Sequence, residues 1–137
     1  MTRGTYVDTY RQNAVQTASP LQLVIMLYDG AIRFLQLAKT AMEEKDLYAQ
    51  NQNIQKTQKI LTELTSCLDM KQGGVVAENL FALYTYCYNQ LTEANLLDQK
   101  EPIETCIQLL TELRESWTEI EIRNRTSQPA GEVRLAS

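Results

Sequence analysis

At 137 residues the chain is sized for one domain, and 44% hydrophobic against 22% charged residues is the balance of a folded globular protein rather than a disordered one. A net charge of -4 with no basic stripe argues against nucleic acid and against an anionic membrane surface as partners. The complete lack of histidine excludes Ser-His-Asp and Cys-His catalysis, and with it the Glu-x-x-His pairs that hold di-iron centres in helical bundles.

Other chemistry is equally thin. No phosphate-binding glycine loop is present, and Gly73-Gly74 is an isolated pair. Cys67, Cys87 and Cys106 are odd in number and far apart, so they are expected to be reduced thiols in or near a core rather than metal ligands. The acidic residues Glu43-Glu44 and Glu112, Glu115 and Glu119 read as solvated helix faces. No catalytic, metal-binding or cofactor-binding residue is therefore assigned, and the chain is not expected to be an enzyme. The first residues lack the apolar run of a signal peptide, and no stretch is expected to insert in a membrane, so a cytoplasmic location is expected.

In chain order, residues 1–18 form a polar arm punctuated by Tyr6, Val7, Tyr10 and Val15. Ser19-Pro20-Leu21-Gln22 is a strong helix start: a cap, a proline at the first helical position and a glutamine able to close the capping box. The first helix runs to about Glu44, with Leu23, Leu27, Ala31, Phe34, Ala38 and Ala41 as its apolar face, widened by Val24, Tyr28, Ile32 and Leu35. Lys45-Asp46 breaks it, and Asp46 caps a second helix over about Leu47 to Leu68 with a narrower stripe through Ile54, Leu61 and Leu64.

Two glycines end that segment. The third helix covers about Val75 to Asp98. On its wheel, Leu80, Tyr84, Cys87 and Leu91 form a central stripe, with Phe81 and Tyr88 on one shoulder and Leu83 and Tyr86 on the other. The apolar arc spans roughly 220°, about twice what a one-sided helix needs. A fourth helix, about Pro102 to Arg123, repeats Ile103, Cys106, Leu110, Leu113, Trp117 and Ile120 at spacings of three and four. Trp117 is expected to anchor the core, and Met26, Met42 and Met70 to fill gaps. The predicted fold is all-α: an antiparallel four-helix up-and-down bundle over 19–125, the N-terminal arm over 1–18, and a disordered tail over 126–137. The first and third helices carry more apolar surface than one core needs. The excess suits a groove for an amphipathic segment, or burial under the arm or in a dimer.

Several blocks, in order, resemble one family. Tyr6-Val7-Asp8-Thr9-Tyr10-Arg11-Gln12-Asn13 resembles the tyrosine-rich N-terminal element of the flagellar secretion chaperone FliS family. Ser19-Pro20-Leu21-Gln22-Leu23 through Met26-Leu27-Tyr28-Asp29-Gly30-Ala31, then Gly73-Gly74, Asn79-Leu80 and Leu83-Tyr84-Thr85-Tyr86, resemble its next blocks. Leu91 to Asn95 and Leu113 to Trp117 match the later ones, so the resemblance covers Tyr6 to about Ile120. Thr85, on the polar shoulder of the third helix, stands where the family often has aspartate.

The resemblance implies a bacterial cytosolic export chaperone. Its client would be the disordered C-terminal segment of flagellin, kept from premature polymerisation and delivered to the flagellar type III export gate protein FlhA. Combining it with the wide faces gives a candidate client-binding set: Tyr6, Val7, Tyr10, Asn13, Leu27, Tyr28, Leu80, Leu83, Tyr84 and Tyr86. Tyr6 and Tyr10, four residues apart, would share one face of a helical turn, expected either to cover a groove and move when client arrives or to act as a fixed staple that only adds stability. The alternative is a helical homodimeric adaptor with no unfolded client, and dimerisation of the client-free protein stays open.

Overall fold

The computed structural model describes residues 18–126, so Tyr6, Val7, Tyr10 and Asn13, with the rest of the arm, and the tail from 127 lie outside the described residues. Four helices follow in order: α1 Pro20–Glu43, α2 Leu47–Ser66, α3 Gly74–Leu97 and α4 Glu101–Thr126. No strand is present among the described residues. Each helix packs on two neighbours in the ring α1–α2–α3–α4, with α1–α2 the most extensive contact and α3–α4 the least. Short connections between them give the antiparallel up-and-down order.

Local chemistry sets the helix ends. The Ser19 Oγ accepts from the Gln22 N–H at 3.1 Å, and the Gln22 side chain accepts from the Ser19 N–H at 2.9 Å, which closes the capping box. The Asp46 carboxylate accepts from the Ala49 N–H at 3.1 Å. Between α2 and α3, Asp69 accepts from the N–H groups of Lys71 and Gln72, and the chain then turns through Gly74 at φ +55. The predicted boundaries shift slightly: α2 ends at Ser66, and α4 runs on to Thr126 rather than stopping near Arg123.

The core is one cluster drawn from all four helices. It holds Tyr28, Ala31, Leu35, Ala38 and Met42 of α1, Ile54, Leu61 and Leu64 of α2, Tyr84, Cys87, Leu91 and Ala94 of α3, and Ile103, Cys106 and Leu110 of α4. Trp117 packs against its edge. The α1 register differs from expectation. The inward stripe is Tyr28–Ala31–Leu35–Ala38–Met42, at alternating spacings of three and four, while Leu23, Leu27 and Phe34 are only half-buried on the flank facing α2. Ala31 and Ala38 let neighbouring backbones close in, and Leu23, Leu27 and Phe34 lie to the side.

Other expectations are corrected. Met26 and Met70 are exposed, so of those three methionines only Met42 fills the core. Cys67 is exposed, whereas Cys87 and Cys106 are buried. α1 is also long and apolar enough, by length and composition, to cross a membrane, against the expectation that no stretch comes near that. Here its apolar residues serve α2, α4 and the groove described next.

The α2–α3 contact is unexpectedly polar. Gln50, 2% exposed, donates through Nε2 to Asn95 Oδ1 at 3.1 Å and to Asp98 Oδ1 at 2.9 Å. Asn95 in turn donates to Asn51 at 2.8 Å, and Gln58 donates to the Tyr88 carbonyl and the Thr92 hydroxyl. The buried Gln50 amide nitrogen is thereby satisfied, and this seam fixes the register of α2 against α3 in a way an apolar contact would not.

Candidate functional site

The sideways placement of Leu23, Leu27 and Phe34 opens a groove between α1 and the C-terminal half of α2. It encloses about 770 Å³, with Leu23, Met26, Leu27, Gly30 and Phe34 from α1 and Glu63, Ser66 and Cys67 at the α2 side. A second depression of about 430 Å³ shares Phe34, Glu63 and Ser66 with it and continues along α2 past Ile60, Lys59 and Lys56. Gly30 is the close-approach point: a Cβ there would lie 3.3 Å from Ile60 Cδ1. From Leu23 to Phe34 the α1 wall is about 16 Å long at 1.5 Å per residue, room for roughly three helical turns.

The predicted site residues fall in three places. Leu27 lines this groove. Tyr28 and Tyr84, nominated for client contact, are 0% and 3% exposed and lie inside the bundle rather than on its surface. Their hydroxyls share a hydrogen bond of 2.6 Å, and their rings meet edge to face with centroids 6.3 Å apart. Burial, with the Tyr84 bond partly offsetting it, raises the Tyr28 pKa, while burial and the bond from Tyr28 both raise that of Tyr84. The Trp117 indole lies close enough to offset a little more of the Tyr28 rise, yet its Nε1 completes no hydrogen bond of good geometry among the described residues.

Leu80 and Leu83 are half-buried, and Leu80 packs on the core. Tyr86 is 46% exposed. Residue Tyr88 marks the α2-facing side of α3, since its carbonyl accepts from Gln58, and Tyr86 sits about 160° from it on the wheel. Tyr86 and Leu83 therefore flank α4, on the other side of the molecule from Leu27. The structure does not bring the described candidates into one surface. It brings Leu27 together with Met26, Gly30 and Phe34, of which sequence reasoning nominated only Leu27 for the site.

The remaining thiols are structural. The Cys106 Sγ lies 3.8 Å from the Cys87 carbonyl in the core, and its bond to Cys87, then burial, push its pKa up, away from the thiolate. Among the described residues no group of three or more His, Cys, Asp or Glu could hold a metal ion.

A four-helix bundle with an open, mainly apolar groove belongs to the class of proteins that work by binding another chain, as chaperones and adaptors do. The chain belongs to the flagellar protein FliS family, whose profile matches residues 2–124. It is 36% identical over 116 residues to the flagellar secretion chaperone FliS of Salmonella typhimurium, covering 84% of this chain and 86% of the relative. It is 34% identical over 119 residues to that of Vibrio cholerae, covering 85% and 88%, and 33% identical over 108 residues to that of Bacillus subtilis, covering 79% and 80%. All three are secretion chaperones by name.

Proposed function

We propose that the protein is an export chaperone that captures the disordered C-terminal segment of flagellin in the bacterial cytoplasm, prevents its premature polymerisation and delivers it to the export gate protein FlhA. The observation that carries this reading is the groove beside α1, about 770 Å³ and faced by Leu23, Met26, Leu27 and Phe34, in a chain of the flagellar secretion chaperone family. Segments that build a filament core do so by helix packing, so their apolar stripes must be covered before export. Burying one aliphatic side chain contributes ~1.5–3 kcal/mol. Ordering a disordered segment costs about 2–5 kcal/mol. Two or three anchors in the groove offset that cost and leave binding reversible, which suits a carrier that must release its cargo without consuming nucleotide.

Met26, 37% exposed at the groove wall, gives a clean test because the core does not depend on it. Calorimetric titration with a flagellin C-terminal peptide should show saturable binding, and Met26→Asp should weaken it about tenfold or more, since a carboxylate replaces a buried apolar contact. The melting temperature should stay near that of the wild type. Unchanged affinity in that variant would remove the groove from the client site.

A further inference from the structure

We propose that the groove is charge-selective: it prefers a client helix whose carboxylates gather at the end lying over Phe34. The inference rests on the reading of the groove as the client site and adds the chemistry of the guest.

The cations of the bundle divide into two groups. Lys39, Lys100, Arg114, Arg123 and Arg125 each meet a carboxylate, on Glu104, Glu43, Asp29, Glu119 and Glu121 respectively. Arg33, Lys56 and Lys59 meet none among the described residues, and all three border the groove or its continuation. The other two described cations without a carboxylate, Lys45 and Lys71, sit in the turns between helices. In a chain of net charge -4, unpaired cations are thus concentrated beside one apolar surface.

Their placement is also directional. The Arg33 guanidinium carbon lies 5.7 Å and the Lys56 Nζ 5.3 Å from the centroid of the Phe34 ring, so the ring holds two positive head groups at one end of the groove. Lys59 lies beside them along α2. The opposite end, at Leu23, Met26 and Cys67, has no cation in its lining, and Arg114 and Arg125, which border Met26 in the adjoining depression, are each paired with a carboxylate. Of the two lining carboxylates, Asp29 is engaged by Arg114, which leaves Glu63 alone against three cations. A guest about three turns long would therefore meet apolar surface first and positive charge at the Phe34 end. A guest with acidic residues there pairs with groups that the bundle leaves unpaired, whereas a basic guest is repelled.

The test uses two synthetic helical peptides of about fourteen residues, long enough to fill the groove. They share one Leu/Met stripe and differ in carrying three Glu or three Lys at the same end. Exposed ion pairs are individually weak, so anisotropy titrations should give the Glu peptide roughly a three- to tenfold advantage at low salt, shrinking as salt rises. In Lys59→Glu, at the cation not stacked over the Phe34 ring, the advantage should vanish or reverse. Lys56→Gln should reduce it. Equal affinity for the two peptides, binding of neither, or an advantage indifferent to salt and to Lys59→Glu would each overturn the proposal. The flagellin peptide titrated in parallel separates the two levels: if it binds while the designed pair shows no preference, the charge selection fails and the client reading stands; if it too fails to bind, the client reading fails.

Discussion

At the scale of single residues, the Tyr28–Tyr84 hydroxyl pair carries the sharpest consequences. Each ring fills core volume, and each hydroxyl is tolerable inside only because the other satisfies it. Tyr84→Phe strands the Tyr28 hydroxyl beside an indole that offers no well-formed bond, so it should cost about 1–3 kcal/mol in urea denaturation. The double variant Tyr28→Phe, Tyr84→Phe removes both groups and should be closer to the wild type than that single variant, giving a coupling energy of opposite sign in the cycle. The pair also sets an alkaline limit. Both pKa values are raised in the folded protein, whereas tyrosine in the unfolded chain ionises near 10. Above about pH 10 the unfolded chain gives up protons that the folded one retains, so their contribution is fully present below pH 10 and declines as pH rises beyond it. Melting temperature against pH should fall less steeply above 10 in the double variant than in the wild type.

At the scale of elements, what could be read from sequence divides by range. The capping box at Ser19, the Asp46 cap and the glycine break were legible because each is settled within a few residues of chain. Which side of α1 faces inward was not. Two overlapping apolar stripes compete there, one through Leu27 and Phe34 and one through Tyr28 and Leu35, and the choice depends on residues of the other three helices, Tyr84 among them, that meet the second. The groove was legible in part for the same reason: Leu27 could be nominated from the wide face, but Phe34, Lys56 and Lys59 become one site only when α2 is laid beside α1. The glycine pair shows how local detail can exceed the pattern. A Cβ on Gly73 would sit 2.6 Å from both the Asp69 carbonyl oxygen and the Ala77 Cβ, and Gly74 has the positive φ that disfavours any side chain. Gly73→Ala should therefore destabilise the protein by about 1–3 kcal/mol despite alanine's better helix propensity, because the clash is with backbone and a packed Cβ that cannot swing aside. Urea titrations followed by circular dichroism read this directly, and a neutral result would mean that the α2–α3 turn rearranges freely.

At the scale of the molecule, the bundle is unevenly held. The α1–α2 hairpin is the tightest pair, and its inner face of Tyr28, Leu35, Ala38, Ile54 and Leu61 is essentially sealed. α4 is sealed only in its first half: Ile103, Cys106 and Leu110 are buried, Leu113 and Trp117 are half-buried, and Ile120 and Ile122 are exposed. The buried Oγ1 of Thr118 and Nε1 of Trp117 add polar atoms without hydrogen-bond partners among the described residues to this same stretch. Beyond the packing of Leu113 and Trp117 on the edge of the core, its ties to α1 include the side-chain bond from Gln22 to Glu121 at 3.2 Å and the half-exposed Arg114–Asp29 pair, neither of which resists solvent strongly. Local opening should follow this gradient. Amide exchange should be slowest at the middle of α1 and α2, around Ala31 to Met42 and Ile54 to Leu64, and faster along α4 from Leu113 onward. Because the groove wall belongs to the slow hairpin, adding the flagellin peptide should slow exchange further along the α1–α2 face and leave the Leu113–Thr126 amides largely unchanged. Protection that instead appears along α4 from Leu113 onward would place the guest on the α1–α4 side, where Met26 borders Arg114, Thr118 and Glu121, and would move the binding surface away from Phe34.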